Sequence, residues 1–286
     1  GAWLYTQQRE FRARGIVFSA GALGTNRLLA KSKLEGTLPA VSDRLGSLVR
    51  TNSESVLAVT LPKGSGDTWN DVFISSSIHP RPDTHIEFTT FGRNAVSMSL
   101  IYTMLTPNGT RLTRPLKWLG SLFRHPVTFF KATWPFGWSA RTVGYLVMQP
   151  LDNAISFRAR RGLFGRFKFT TEQDKDKPNP TFIPIANEAA EVLAKETGGV
   201  PQSMVLEALG DIPTTAHILG GAVVGKDPQK GVVDSRQRVF GYRNMMICDG
   251  STMPANPGVN PSLTITAMSE HAMSHVPEAG PKWWAN

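Results

Sequence analysis

The stretch from Gly15 to Ser32 constrains the fold most. Gly15-Ile16-Val17-Phe18-Ser19-Ala20 is a short apolar run of the kind that forms a buried strand. Gly21-Ala22-Leu23-Gly24 follows at once as a tight turn. Thr25 is then placed to cap a helix that carries Leu28, Leu29 and Ala30 to about Ser32. Strand, glycine turn and helix, in that order, are how α/β sheets present backbone N–H groups to a ligand. Residues 1–50 as a whole read as two strands, a turn and a helix.

The middle of the chain has a different texture. Val56 to Leu61, Val72-Phe73-Ile74, His85 to Phe88 and Ser97 to Tyr102 read as strands separated by Gly, Pro and Asp turns, which predicts an antiparallel sheet. Between residues 111 and 145, cations such as Arg111, Lys117 and Lys131 interleave with Trp118, Phe130 and Trp134, and prolines break the segment into short helices. Ala154 to Phe157 and Phe167 to Thr170 read as a hairpin joined by a basic link. Residues 184–197 form an amphipathic helix stopped at Gly198-Gly199, and residues 261–276 form a second helix. The expected class is α/β (α+β overall).

With 286 residues, the chain makes one large domain or two ordinary ones, and 41% apolar residues supply a core. Lys and Arg number 31 against 22 Asp and Glu, a balance that favours anionic partners without choosing among them. The single cysteine, Cys248, forms no internal disulfide. There is no apolar run of about 18 residues, hence no membrane-spanning helix in the sequence. The first residue is Gly1 rather than Met, so the chain reads as a piece of a larger protein, and its compartment is left open.

Chemistry concentrates between Thr214 and Val276. In His217-Ile218-Leu219-Gly220-Gly221, two glycines allow a close backbone approach while an imidazole, which titrates near neutrality, holds or passes a proton. A structural histidine would read the same way. Met245 to Ser251 is a buried strand ending in Asp249-Gly250, where an Asp commonly faces a sugar or ribityl hydroxyl, or simply makes a turn. In Gly258-Val259-Asn260-Pro261-Ser262, Asn260 stands where an N-cap belongs and Pro261 at the first helical position. The positive end of that helix would favour negative charge on a ligand.

Together, these three features resemble the C-terminal signature of the glucose–methanol–choline (GMC) oxidoreductases, closest to the bacterial cholesterol oxidases and related sterol-oxidising flavoproteins. The resemblance implies FAD as cofactor. It places the family's hydroxyl-flanking pair on His217 and Asn260, its Asp-Gly cofactor contact on Asp249 and Gly250, and its helix-start contact on Gly258, Asn260, Pro261 and Ser262. The run from Ser19 to Thr25 resembles the family's turn beside FAD, which adds Gly21 and Ala22. Sterol oxidases carry a glutamate base on a substrate-domain strand, and Glu87 in His85-Ile86-Glu87 matches it; a solvent-facing strand residue is the plain alternative. The implied organisation is part of an FAD domain in 1–50, a substrate domain in 51–210 and a return to the FAD domain in 211–286. The N-terminal dinucleotide-binding βαβ unit is expected upstream, because no Gly-x-Gly-x-x-Gly occurs here.

The implied substrate is a sterol or other apolar alcohol, with oxygen as acceptor, double-bond isomerisation by Glu87 and a peripheral membrane contact through the aromatic, basic segment. Alone, this fragment is expected to hold FAD poorly and to be inactive. A GMC dehydrogenase for another alcohol or a sugar is the nearest alternative. A basic nucleic-acid-binding or scaffold fragment, using Arg158, Arg160 and Arg161, is an alternative of another class; no nucleic-acid module signature supports it. No metal is expected: His79 and His85 lack the spacing of a zinc knuckle, and His271 and His275 lack a third ligand.

Overall fold

The computed structural model describes residues 9–70 and 72–278. Twelve strands form three sheets among these residues, with six α-helices. The smallest sheet joins distant parts of the chain: β1 (Ile16–Phe18) pairs in parallel with β12 (Met245–Ile247). Helix α1 (Gly21–Glu35) follows β1 directly. It begins at Gly21 rather than after Thr25, which corrects the expected four-residue turn. Gly21 adopts φ +72°, so a single glycine turns the chain into the helix. Thr25 lies inside α1; its hydroxyl accepts from the Ala20 N–H and donates to Asp249. The other strand expected in 1–50 has no counterpart in residues 9–14, and residues 1–8 lie outside those described.

The largest sheet has six antiparallel strands in the order β4 (Ile74–Arg81), β5 (Thr84–Thr90), β7 (Thr142–Met148), β3 (Ser55–Thr60), β10 (Val200–Met204), β6 (Tyr102–Met104). Its two faces follow from the two-residue period of a strand. On one face Leu57, Val59, Ile86, Tyr145 and Val147 pack against Ile185, Ala190 and Ala194 of α4 (Pro184–Thr197). Gly198 ends α4 in the left-handed conformation, as its sequence predicts. The other face carries Ala58 with Phe91, Tyr102 and Trp138. Strands β7 and β10 were not expected. Ser97 to Ile101 belongs to a 3₁₀ turn (Val96–Ile101) rather than a strand, and only Tyr102 onward joins the sheet.

The third sheet, order β11 (Ile218–Gly221), β2 (Ser47–Thr51), β8 (Ile155–Arg161), β9 (Phe167–Gln173), contains the expected hairpin as β8–β9. Helices α2 (Thr113–Arg124), α3 (Pro126–Thr133) and α5 (Val205–Gly210) lie beside the six-stranded sheet, and α6 (Ser262–Met273) closes the described chain. No helix among the described residues is long and apolar enough to cross a membrane.

Candidate active site

His217 immediately precedes β11, whose first residue Ile218 pairs with Thr51 at the end of β2. The chain then leaves β2 through Asn52, Ser53 and Glu54 before entering β3, so this polar turn is held against the histidine. Glu54 Oε1 lies 2.6 Å from His217 Nδ1, and its side chain is fully buried. Its second oxygen accepts from the Ala216 N–H. With Glu54 as the acceptor, Nδ1 carries the hydrogen of this contact and Nε2 is the ring nitrogen left outside it. Asn52 Nδ2 lies 3.3 Å from the same Nδ1, but donates to Val259 O at 2.9 Å. Through Asn52 the His217 loop and the residue before Asn260 are tied together.

Asn260 does not cap α6, as its sequence position predicts. The helix begins at Ser262, with Pro261 in the cap position and no side-chain cap. The amide of Asn260 instead donates to both carboxylate oxygens of Glu87, at 2.8 and 2.9 Å. A charged acceptor in a buried position draws the donor away from a solvated helix end. Asn260 Oδ1 is left buried and without a partner. Glu87 is 4% exposed and pairs across β5–β7 with Leu146, which pairs in turn with Val56 of β3. Because Ile86 and Phe88 face α4, Glu87 faces the opposite side, along an apolar row leading toward Tyr102 and Trp138. The solvent-facing alternative for Glu87 is thereby ruled out.

The residues matched to a cofactor lie at the ends of β1 and β12 and at the start of α6. Asp249 is buried, accepting from Thr25 Oγ1, from the Ser251 N–H at 2.8 Å and from Ser251 Oγ. Gly250 is packed so closely that an added Cβ would stand 3.0 Å from Ile265 and 3.2 Å from Leu219. Gly258 turns the chain at φ +67° beside Pro150. Gly21 has open space where a Cβ would be, and Ala22 is buried beneath it. Ser262 is exposed and Pro261 buried. An open glycine at one helix start, an uncapped second helix start and an orphaned Asn260 Oδ1 fit the flavin end of FAD, whose ring is polar at its edge and accumulates negative charge.

Two buried carboxylates escaped the sequence reading. Glu54 is one. Glu207 of α5 is the other, accepting from Ser55 Oγ at 3.0 Å and from Thr214 Oγ1, three residues before His217. Burial pushes Glu207 up to about 7, against the opposing effect of its hydrogen bonds from Thr214, Ser55 and the Val56 N–H. The only available signal was the unbroken polar run Thr51-Asn52-Ser53-Glu54-Ser55 between two strands, all five of which are buried.

The geometry therefore ties the His217 loop, through Asn52, to the segment that carries Asn260, while Gly250 at the end of the parallel β1–β12 unit packs against Leu219 of β11, an arrangement compatible with a flavin-dependent alcohol oxidoreductase. Residues 171–269 match the family model described as GMC oxidoreductase. Over 276 residues, 96% of this chain and 50% of the relative, the chain is 41% identical to a cholesterol oxidase of Acinetobacter baumannii. Over 286 residues, 98% of this chain and 49% of the relative, it is 42% identical to a cholesterol oxidase of Mycobacterium tuberculosis. A pyridoxine 4-oxidase from Mesorbium loti shares the fold with a TM-score of 0.55 at 15% identity, covering 92% of this chain and 51% of that one. The chain belongs to the GMC oxidoreductase family, whose members use FAD, and it spans about half the length of the curated relatives it matches.

Proposed function

We propose that this chain supplies the substrate sheet and the flavin-facing side chains of an FAD-dependent enzyme that oxidises the hydroxyl of a sterol, or a similar apolar secondary alcohol, to a ketone. The observation that carries this reading is the Glu87–Asn260 pair, buried at the head of an apolar row. A sugar would need a polar floor there. Residues 1–50 and 211–286 form the FAD side and 51–210 the substrate side, a division supported by the β1–β12 pair that joins the two outer segments.

FAD would be held at the expected contacts Gly21, Ala22, Asp249, Gly250, Gly258, Asn260, Pro261 and Ser262 and, when bound, would supply the hydride acceptor, with oxygen as the proposed final electron acceptor. His217 Nε2 takes the hydroxyl proton while Glu54 stabilises the imidazolium that results. Asn260 Oδ1 accepts from the hydroxyl and fixes its orientation. For a sterol with a double bond one carbon removed from the carbinol, Glu87 takes a proton from the carbon between them and delivers it to the far alkene carbon, conjugating the ketone.

Membrane contact is part of the same proposal. Residues 88–151 contain seven Lys and Arg and no Asp or Glu. Leu116, Phe123, Val127, Phe130 and Trp134 are all more than half exposed on α2, α3 and the residue after α3. An apolar ridge with cationic flanks suits the surface where sterols reside.

Flavin bleaching in the FAD-loaded protein with its upstream dinucleotide-binding segment included, under anaerobic conditions, tests the reading with a sterol, a long-chain secondary alcohol and glucose. Bleaching by the first two is expected. Bleaching by glucose and not by sterol would transfer the assignment to the sugar dehydrogenases. In the same protein, Glu87→Gln should retain ketone formation and lose double-bond migration.

A further inference from the structure

The strand that carries Glu87 carries a second titratable group on the same face. His85 stands two residues earlier on β5, and its Nε2 lies 3.5 Å from Glu87 Oε1. Both ring nitrogens of His85 are buried without a hydrogen-bond partner, and the side chain is 12% exposed. Its ring stacks on that of His79 in β4, with centroids 4.4 Å apart and planes 20° from parallel. β4 is exposed along its whole length. From the inside outward, the order is therefore buried carboxylate, nearly buried imidazole, surface imidazole.

A histidine that served only packing would have its nitrogens satisfied, because each unmade bond costs about 1–3 kcal/mol in a buried site. Across the sheet, His85 faces Met148 of β7, so the titratable groups set against it are Glu87 on its own strand and His79 on β4. Burial, with a smaller contribution from His79, holds its pKa below the ordinary value, while Glu87 acts in the opposite direction. At neutral pH the ring is thus uncharged, with one nitrogen a donor and the other an acceptor. That is the form able to take a proton on one side while releasing one on the other.

We infer that His85 is a positioning residue that connects the proton held by Glu87 with solvent. The inference rests on the sterol-isomerising reading above. When Glu87 removes a proton from carbon, the C–H bond breaks, its electron pair enters the dienolate and a carboxylic acid forms. Glu87 then passes the proton to His85 Nε2 as Nδ1, buried in the resting structure, releases its own to solvent admitted past the exposed His79 ring. The reverse sequence returns a solvent proton to Glu87, which delivers it to the far alkene carbon. Proton number is unchanged, and the new C–H bond carries hydrogen from water.

The experiment is turnover of a homoallylic sterol by the FAD-loaded holoenzyme in D₂O, with mass spectrometry of the isomerised ketone. One deuterium per isomerised molecule is expected from the parent enzyme. His85→Phe, which keeps the ring but no nitrogen, should lower deuterium per isomerised molecule by roughly fivefold or more, since Glu87 then returns the proton it took. His85→Gln, which keeps polarity without a relay, should do the same. The ratio does not depend on how much folded enzyme each variant yields. Isomerised product without deuterium from the parent, or unchanged deuterium in both variants, would overturn the relay. Ketone that is never isomerised would instead bring down the isomerase reading, and the relay with it.

Discussion

Replacing Glu54 by Gln isolates what a buried carboxylate does for the histidine proposed to accept the hydroxyl proton. In the parent, Glu54 Oε1 lies 2.6 Å from His217 Nδ1 in a side chain with no solvent exposure. As the imidazole takes the hydroxyl proton, a positive ring forms against a negative carboxylate. With charge centres about 4 Å apart and an effective dielectric near 20, their attraction is about 4 kcal/mol. Gln keeps a neutral hydrogen bond worth about 1 kcal/mol, so the net loss is about 2–3 kcal/mol. At 1.36 kcal/mol per tenfold, Glu54→Gln should slow flavin reduction by roughly 30- to 150-fold. Stopped-flow measurement at saturating alcohol reads this step directly. The single amide oxygen can accept from His217 Nδ1–H or from the Ala216 N–H but not from both, so a circular dichroism melt accompanies the kinetics to show that the variant is folded. Reduction within about threefold of the parent rate would refute the claim that Glu54 stabilises charge on His217.

Three further outcomes follow from the same geometry. Asn260→Ala removes both amide bonds to Glu87 and the acceptor proposed for the hydroxyl; a loss of about 10²- to 10³-fold in kcat is expected, and a change confined to KM would contradict it. Glu207 binds its proton more tightly when folded, so its contribution to stability is full below its ordinary 4.5 and is lost as pH rises through about 7; the gap corresponds to at most about 3 kcal/mol. Urea unfolding at pH 5 and pH 8 should therefore show a smaller fall for Glu207→Gln than for the parent. Gly220→Ala places a Cβ against the Leu48 carbonyl at φ +73°, and thermal unfolding should report a loss of at least about 2 kcal/mol.

Elements whose boundaries are written in local chemistry were legible in the sequence. The helix at 184–197 has Pro at its first turn, small apolar residues at helical spacing and Gly198 at its end, and α4 matches it residue for residue. The β8–β9 hairpin was legible from two strand-like runs and the basic, glycine-containing link between them, although Arg158 to Arg161 of that link belong to β8. Strand β7 was missed although it is central, because Thr142-Val143-Gly144-Tyr145-Leu146-Val147-Met148 follows a proline-rich aromatic segment and contains a glycine that weakens any strand pattern. That glycine exists for packing: a Cβ there would collide with Thr89 and stand 3.3 Å from Phe91. The 3₁₀ turn at Val96–Ile101 is apolar and alternating, so periodicity alone took it for a strand. Asn260 looked like a cap because sequence shows only its neighbours along the chain; its partner, Glu87, lies 173 residues away. Glu54 was hidden for the same reason, since a glutamate in a polar turn reads as surface until the turn is seen folded inward.

The parallel pairing of β1 with β12 also bears on how the molecule is made. Ile16 meets Met245 across 229 intervening steps of chain, and Thr25 meets Asp249 across 224. Closing so long a loop earns no contact until both ends are present, whereas the β8–β9 hairpin and α4 form from neighbours. On the ribosome, the six-stranded sheet can assemble while the C-terminal segment is still being synthesised; β1 and α1 must wait for it. Kinetically, the segment that carries His217, Asp249 and Asn260 is thus the last to dock, and until it does the backbone edge of β1 that pairs with β12 stays unpaired and open to misassociation.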